Sequence, residues 1–322
     1  VDEQTPEGET VLVNVDNFRE AETTRMYDLF TALAGGVNEW FHFRTPTTVE
    51  NQPVIRMNRD TLYSGAVVDT SAGATLTIPD AGDRYVSVMA IDTEHYLEHT
   101  FTEPGAHQLP VPARGDGHLF LAARIFVDPD DPDDIAAVND LQDQLGIDAG
   151  AARPFHHPGF DEASLDETRE ALLVLSRGLS GMERTFGRSD QVDPVRHLIG
   201  TAAGWGGAET SEAAYLLHTE PRPVGRYTMT ITEVPVDAFW SVTVYNRDGY
   251  LEPNPFGTHS VNSVTATPDA DGSTVLYLAP EPDGRPNHVH VMDGWNYALR
   301  LYRPRPSLLD GTWTPPVPEP LT

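Results

Sequence analysis

Three groups of residues in this 322-residue sequence could do chemistry. The first is the run Asn58, Arg59, Asp60, Thr61 and Tyr63. Asp60 could serve as a base or metal ligand, Tyr63 as a proton donor and Arg59 as an anion clamp, with Asn58 binding ligand beside them. If the run is extended, Asn58, Asp60 and Leu62 share one face and Arg59, Thr61 and Tyr63 the other, so only one set can line a pocket. The competing reading is a buried network that pins a bend between helix and sheet. The second group is histidine. His95 and His99 follow one strand-like run, and His288 and His290 precede another at i and i+2, a spacing that sets both rings on one face of a strand. With a carboxylate from Asp92, Glu94 or Glu98, the four could hold a divalent metal that activates water or binds dioxygen. Twelve histidines make such a pair common by composition alone, and His156-His157 reads as solvated or packed. The third group is aromatic: Phe239, Trp240, Trp295, Tyr297, Tyr302 and Trp313 suit a sandwich core or an apolar or sugar-binding surface. Arg84 and Trp295 complete the candidate ligand contacts.

Other chemistries are excluded. The chain has no cysteine, which removes disulfides, thiolate ligands and a cysteine nucleophile. No Gly-x-Ser-x-Gly elbow occurs, and Leu179-Ser180-Gly181 continues a helix end. The Gly204–Gly207 stretch lacks the lysine of a phosphate loop and reads as a structural turn. Every one of the 21 cationic side chains is arginine against 49 acidic ones, a formal charge of −28. That field repels nucleic acid and anionic lipid, so a neutral or cationic small-molecule partner fits best. Acidity with no lysine is the habit of proteins that work in molar salt, where the Debye length falls to roughly 3 Å; a GC-rich genome that favours arginine codons would give the same bias. No run of 18 apolar residues occurs, which argues against insertion into a membrane as a helix.

The elements that must position these groups alternate in type. Asp16 reads as the cap of a helix with Phe18, Met26, Leu29, Phe30 and Leu33 on one stripe, ended by Gly35-Gly36. Strand-like runs follow at 61–70, 75–78, 85–92 and 119–127. The turn 128–134 leads into a helix with Ile135, Val138, Leu141 and Leu145 on one face. A second helix spans about 161–177 with Leu165, Ala171, Leu172 and Leu175 inward, a short helical segment precedes Gly200–Gly207, and strands return from Arg226.

An internal repeat runs through this pattern. Residues 85–92 align without gaps on 239–246, and Tyr96-Leu97-Glu98 on Tyr250-Leu251-Glu252, at a constant offset of 154. Arg124-Ile125-Phe126 then pairs with Arg300-Leu301-Tyr302 at an offset of 176. The reading is mainly β: two related β-sandwich-like units joined by a helical region, with a tail at 1–15, a first unit at 16–130, a connecting region at 131–219 and a second unit at 220–322.

The residues of the repeat also resemble a known family. Arg56-Met57-Asn58-Arg59-Asp60-Thr61-Leu62-Tyr63-Ser64, Asp69 and residues 83–88 resemble domain of unknown function 1254. Gly204–Gly207, Ala213, Tyr215, residues 236–245 and residues 294–304 resemble its companion, domain of unknown function 1214; the likeness lapses at Asn287–His290. The resemblance implies two sandwich-like domains with helices, often in exported or envelope proteins and as homo-oligomers, and it implies no reaction. An exported protein that has lost a signal peptide and a protein of a high-salt cytoplasm are both compatible with the sequence. Small-molecule binding in a polar cleft near 58–63 is the leading expectation. A metal-dependent hydrolase or oxidoreductase and a structural envelope oligomer are the alternatives.

Overall fold

The computed structural model describes residues 10–52, 55–177, 179 and 181–321. Most of the expected tail, Pro53-Val54 and Ser180 lie outside them. The elements, in chain order, are α1 (Phe18–Ala34), β1 (Phe41–His42), β2 (Thr61–Asp69), β3 (Ala74–Ile78), β4 (Val86–Ile91), β5 (Leu97–Phe101), β6 (Gly105–Gln108), β7 (His118–Phe126), α2 (Pro132–Gln142), β8 (Gly146–Ala149), α3 (Glu162–Ser176), α4 (Pro194–Ala203), β9 (Ala213–Arg222), β10 (Tyr227–Ile231), β11 (Trp240–Tyr245), β12 (Ser260–Asn262), β13 (Thr274–Ala279), β14 (His288–His290), β15 (Trp295–Tyr302), α5 (Pro306–Leu309) and β16 (Glu319–Pro320). The expected mainly β fold class holds.

The chain forms two compact units. The first takes residues up to Arg44, Leu62–Phe126 and Ala136–Glu209; the second takes Thr45–Thr61, Val127–Ile135 and Thr210–Thr322. Helices α3 and α4, expected in a connecting region, group with the first unit. The segment that leads into β2 of the first unit groups with the second, and the segment that leads toward β9 of the second groups with the first.

In the first unit one sheet runs β1-β2-β7-β4-β5 and another β6-β3-β8; in the second, one runs β12-β11-β15-β9 and another β14-β13-β10-β16. The registers correspond. Ser87 lies opposite Arg124 and Met89 opposite Ala122 across β4 and β7; Ser241 lies opposite Arg300 and Thr243 opposite Ala298 across β11 and β15. After each first strand the chain makes the same turn. The Asp92 carboxylate accepts the backbone N–H of Glu94 at 2.9 Å and of Tyr96 at 2.8 Å. The Asn246 carboxamide oxygen accepts those of Asp248 at 3.1 Å and Tyr250 at 3.0 Å. Each turn has a left-handed residue three positions on, His95 (φ 67°) and Gly249 (φ 90°).

Alternation explains the second core. Val242, Val244, Trp295, Tyr297, Leu299 and Leu301 project from one face of β11 and β15 and meet Met229, Leu276 and Leu278 of the facing sheet. In the first unit α1 covers one face of the large sheet. Phe30 packs edge-on to Phe120 with ring centroids 4.8 Å apart, and the Tyr27 hydroxyl donates to the Ile91 carbonyl at 2.7 Å. Gly65 permits this approach, because a Cβ there would lie 2.4 Å from the Phe30 ring.

Three sequence expectations change. Helix α1 is flanked by Asn17, with no side-chain cap bond, rather than by Asp16. Its buried face holds Ala21, Glu22, Thr23, Thr24 and Tyr27 beside Phe18 and Phe30, while Leu29 and Leu33 are exposed. Glu22 can be buried because Arg25 and Arg169 both pair with it. On α3, which Asp161 caps, Leu165 and Leu172 are buried as expected, yet Ala171 and Leu175 are exposed. Strands return at Ala213, in β9, well before Arg226.

Candidate functional site

The Asn58–Thr61 run is a turn that precedes β2, so its residues do not alternate as a strand would. The Asn58 carboxamide oxygen takes the backbone N–H groups of Asp60 at 2.5 Å and Thr61 at 3.2 Å, and its Nδ2 donates to the Tyr302 hydroxyl at 2.9 Å. The turn delivers Asp60 to the second unit's sheet, where its Oδ2 accepts the Ser241 hydroxyl at 2.5 Å. Asp60 is completely buried, and its Oδ1 has no hydrogen-bond partner among the described residues. Burial pushes its carboxyl above the usual range, against the pull of Arg300, Ser241 and Arg59. Arg300 is buried beside it and donates to Tyr245 Oη at 2.6 Å, the Arg56 carbonyl at 2.7 Å and Thr243 Oγ1 at 3.0 Å. Burial alone would lower the guanidinium; Tyr245, Tyr302 and Asp60 together hold it above its usual value. With no exposed surface, Asp60 sits as a buried counter-charge in the field of Arg300, and Asn58 fastens the same turn. Arg59 turns aside to the His259 ring at 3.1 Å and to Asp130 at 3.3 Å.

Tyr63 belongs to the first unit, and there the matching face differs. Arg124, the counterpart of Arg300, donates to the Gly206 carbonyl at 2.6 Å, as Arg300 does to that of Arg56; both carbonyl residues are left-handed, at φ 76° and 55°. The Arg124 guanidinium lies 5.6 Å from the centre of the Tyr63 ring. Strands β2 and β7 are buried along their whole length save for one residue each, Tyr63 and Ala122. On the same face Met89 lies opposite Ala122 on one side and Thr100 on the other. Thr100 and Glu98 on β5 are half-buried, and the Thr100 hydroxyl donates to Glu209 at 3.3 Å. Ala122, in the middle of this sheet, is thus partly exposed, with Tyr63 beside Arg124 toward β2 and Thr100 with the two carboxylates toward β5. In the second unit the equivalent Ala298 is fully buried, packed with Tyr245 and Leu251 and covered by Val49.

A column of stacked rings belongs to the first unit as well. Trp205, held by its indole N–H on Thr23 Oγ1 at 3.1 Å, stacks on His95 at 5.2 Å, His95 on His197 at 5.4 Å, and His197 on Tyr96 at 4.3 Å. Arg114 lies over the far face of Tyr96 at 4.6 Å. The bonds fix the His95 tautomer: Nε2 accepts the Gly206 N–H at 2.8 Å, and Nδ1 donates to Thr201 Oγ1 at 2.9 Å, whose own proton goes to the His197 carbonyl. Burial, then the nearby His197, holds His95 neutral, well below its ordinary range.

The four histidines expected at a metal are divided between the two units. His95 and His99 belong to the first unit, His288 and His290 to the second. Both His95 nitrogens are engaged. His99 is exposed, with its ring against Phe101. His288 bonds Thr258 Oγ1 at 3.2 Å and the Ala279 carbonyl at 3.0 Å, and His290 the Pro280 carbonyl at 2.9 Å. Among the described residues no group of three or more His, Asp or Glu side chains could hold a metal ion.

The remaining ligand candidates are structural. Arg84 donates to the Phe126 carbonyl at 2.8 Å, where β4 and β7 end. Trp295 is fully buried in the second core with its N–H on the Pro223 carbonyl at 3.1 Å, so its ring meets no solvent. Of the candidates named from sequence, Tyr63 and Glu98 lie on the part of this sheet around Ala122. Sequence reasoning missed Ala122, Thr100 and Trp205 as parts of this face, and offered Glu98 only as a metal carboxylate. The repeat aligns Ala122 with Ala298 but carries no sign that one is partly exposed and the other buried.

Several largely antiparallel sheets, with helices on the first unit, define a mainly β protein. Two family models match the chain in order: residues 37–97 match Protein of unknown function (DUF1254), and residues 218–306 match Protein of unknown function (DUF1214). The crystal structure of the VPA0106 protein from Vibrio parahaemolyticus is similar over 96% of this chain and 100% of its own, with a TM-score of 0.71 at 19% identity. That of a putative uncharacterized protein from Burkholderia cenocepacia covers 94% of this chain and 87% of its own, with a TM-score of 0.52 at 14% identity. Both likenesses concern the fold. No protein with a curated description matches. No helix among the described residues is long and apolar enough to cross a membrane.

Proposed function

We propose that the chain binds a small molecule on the large sheet of its first unit, over Ala122. One observation supports the reading above others: of two equivalent alanines in corresponding sheets, Ala298 is buried under Val49 and Leu251 while Ala122 is partly exposed. The Tyr63 ring offers a stacking surface, and Thr100, Glu98 and Glu209 offer polar contacts. Those carboxylates, and a chain charge of −28, favour an uncharged or cationic ligand over an anion. The test is a calorimetric or thermal-shift screen of neutral and cationic ring compounds against the wild type and Ala122→Leu, whose side chain covers the site. A ligand should bind the wild type and be lost from the variant; equal binding to both would refute the site.

Two further readings accompany it. The units descend from one duplicated unit, supported by the matched Ser–Arg registers and the matched turns at Asp92 and Asn246. The protein is adapted to high salt, supported by its lysine-free, acidic composition; unfolding measured in low and molar KCl should show stability rising with salt.

A further inference from the structure

We infer that β9 is the interface through which the chain pairs with a second copy of itself, a proposal independent of the ligand site. The strand is ten residues long and ends the sheet β12-β11-β15-β9. Among the described residues no strand pairs with its outer edge, and Leu217 there is 39% exposed. A long uncharged edge is a template for another extended backbone.

The first unit shows what such an edge accepts. Its β2 corresponds to β9, with Tyr63 beside Arg124 and Tyr215 opposite Arg300. On that same side β2 carries an added antiparallel strand, β1, with His42 opposite Ser64 and Phe41 opposite Gly65. The equivalent positions on β9 are Leu216 and Leu217, where no strand among the described residues pairs.

Charge and symmetry select a second copy. Copies of a chain at −28 repel one another wherever charged surfaces meet, yet β9 carries no carboxylate or guanidinium from Ala213 to Thr219. Glu220 is its first charge, and Pro221, lacking an N–H, stops the ladder. An antiparallel pair about a two-fold axis is self-complementary. With the axis at Leu217, Tyr215 faces Thr219 of the copy and Glu220 faces Ala214, so no like charges oppose each other.

Sedimentation of the full chain in molar KCl tests the idea, with Leu217→Lys beside the wild type. A wild-type dimer, weakened about tenfold or more by a lysine on the edge, supports it. A monomeric wild type, or a dimer that Leu217→Lys leaves untouched, overturns it. Because the chain has no cysteine, single-cysteine chains give an answer even if the lysine variant misfolds. Residues at the axis lie about 5 Å apart between Cα atoms, within disulfide range. Leu217→Cys should then cross-link under mild oxidation much faster than the exposed control Glu162→Cys; equal rates would also overturn the proposal.

Discussion

Replacing Asp92 by asparagine should stabilise the protein at neutral pH. Asp92 is fully buried, and its Oδ1 accepts two backbone N–H groups that an asparagine could take equally well, as Asn246 does in the same turn of the second unit. Burial raises its carboxyl from 3.8 to about 6, against the backbone bonds and Arg114. Two pH units at about 1.4 kcal/mol each correspond to about 3 kcal/mol. The native chain holds this proton to higher pH than the unfolded chain, so wild-type stability falls as pH rises from about 4 to about 6 and the penalty persists above. Asparagine removes the charge. It also weakens the contact from Arg114 Nη1, 3.1 Å from Oδ2, a loss of about 1 kcal/mol. The expected balance is a gain of about 1–3 kcal/mol at pH 7, vanishing near pH 4. Urea unfolding from pH 4 to 8 at fixed high salt would show it as a flattened pH dependence. A variant less stable than wild type at pH 7 would mean that the Arg114 pair outweighs desolvation, and would refute the reasoning.

Asp60→Ala should cost about 3–5 kcal/mol in the same assay, because it strands the buried Arg300, whereas Ser241→Ala, which removes one hydrogen bond, should cost about 1 kcal/mol. A cheap Asp60→Ala would show that Arg300 finds another counter-charge. Ala298→Leu should destabilise by about 1–3 kcal/mol through overpacking against Val49 and Leu251, while Ala122→Leu should leave unfolding almost unchanged; similar costs at both sites would contradict the exposure of Ala122.

The sheets were legible where alternation and turn residues agree. Strands β2, β4 and β7 fall within a residue of their expected bounds, and the repeat anticipated the shared registers. Elsewhere the deciding partners lie far along the chain. Asp60 looked like a base because its own neighbourhood is polar; Ser241 and Arg300, which make it a buried counter-charge, come 181 and 240 residues later. Helix α1 was misjudged because Arg169 of another helix lets Glu22 go inward. The edge strand β9, followed by Pro-Arg-Pro, showed too little alternation to be distinguished from a loop. The spacing of the histidines could not show that His95, His288 and His290 bond to backbone and hydroxyl groups from other parts of the chain.

The chain passes between its two units at five points, after residues 44, 61, 126, 135 and 209. No single cut can therefore release either unit whole. A fragment ending at Glu209 would keep Thr45–Thr61 and Val127–Ile135, which the second unit needs, and the remaining piece would lack the segment that carries Asp60 to Ser241. A domain boundary drawn along the sequence would sever parts of both, and the protein should unfold as one cooperative body rather than two.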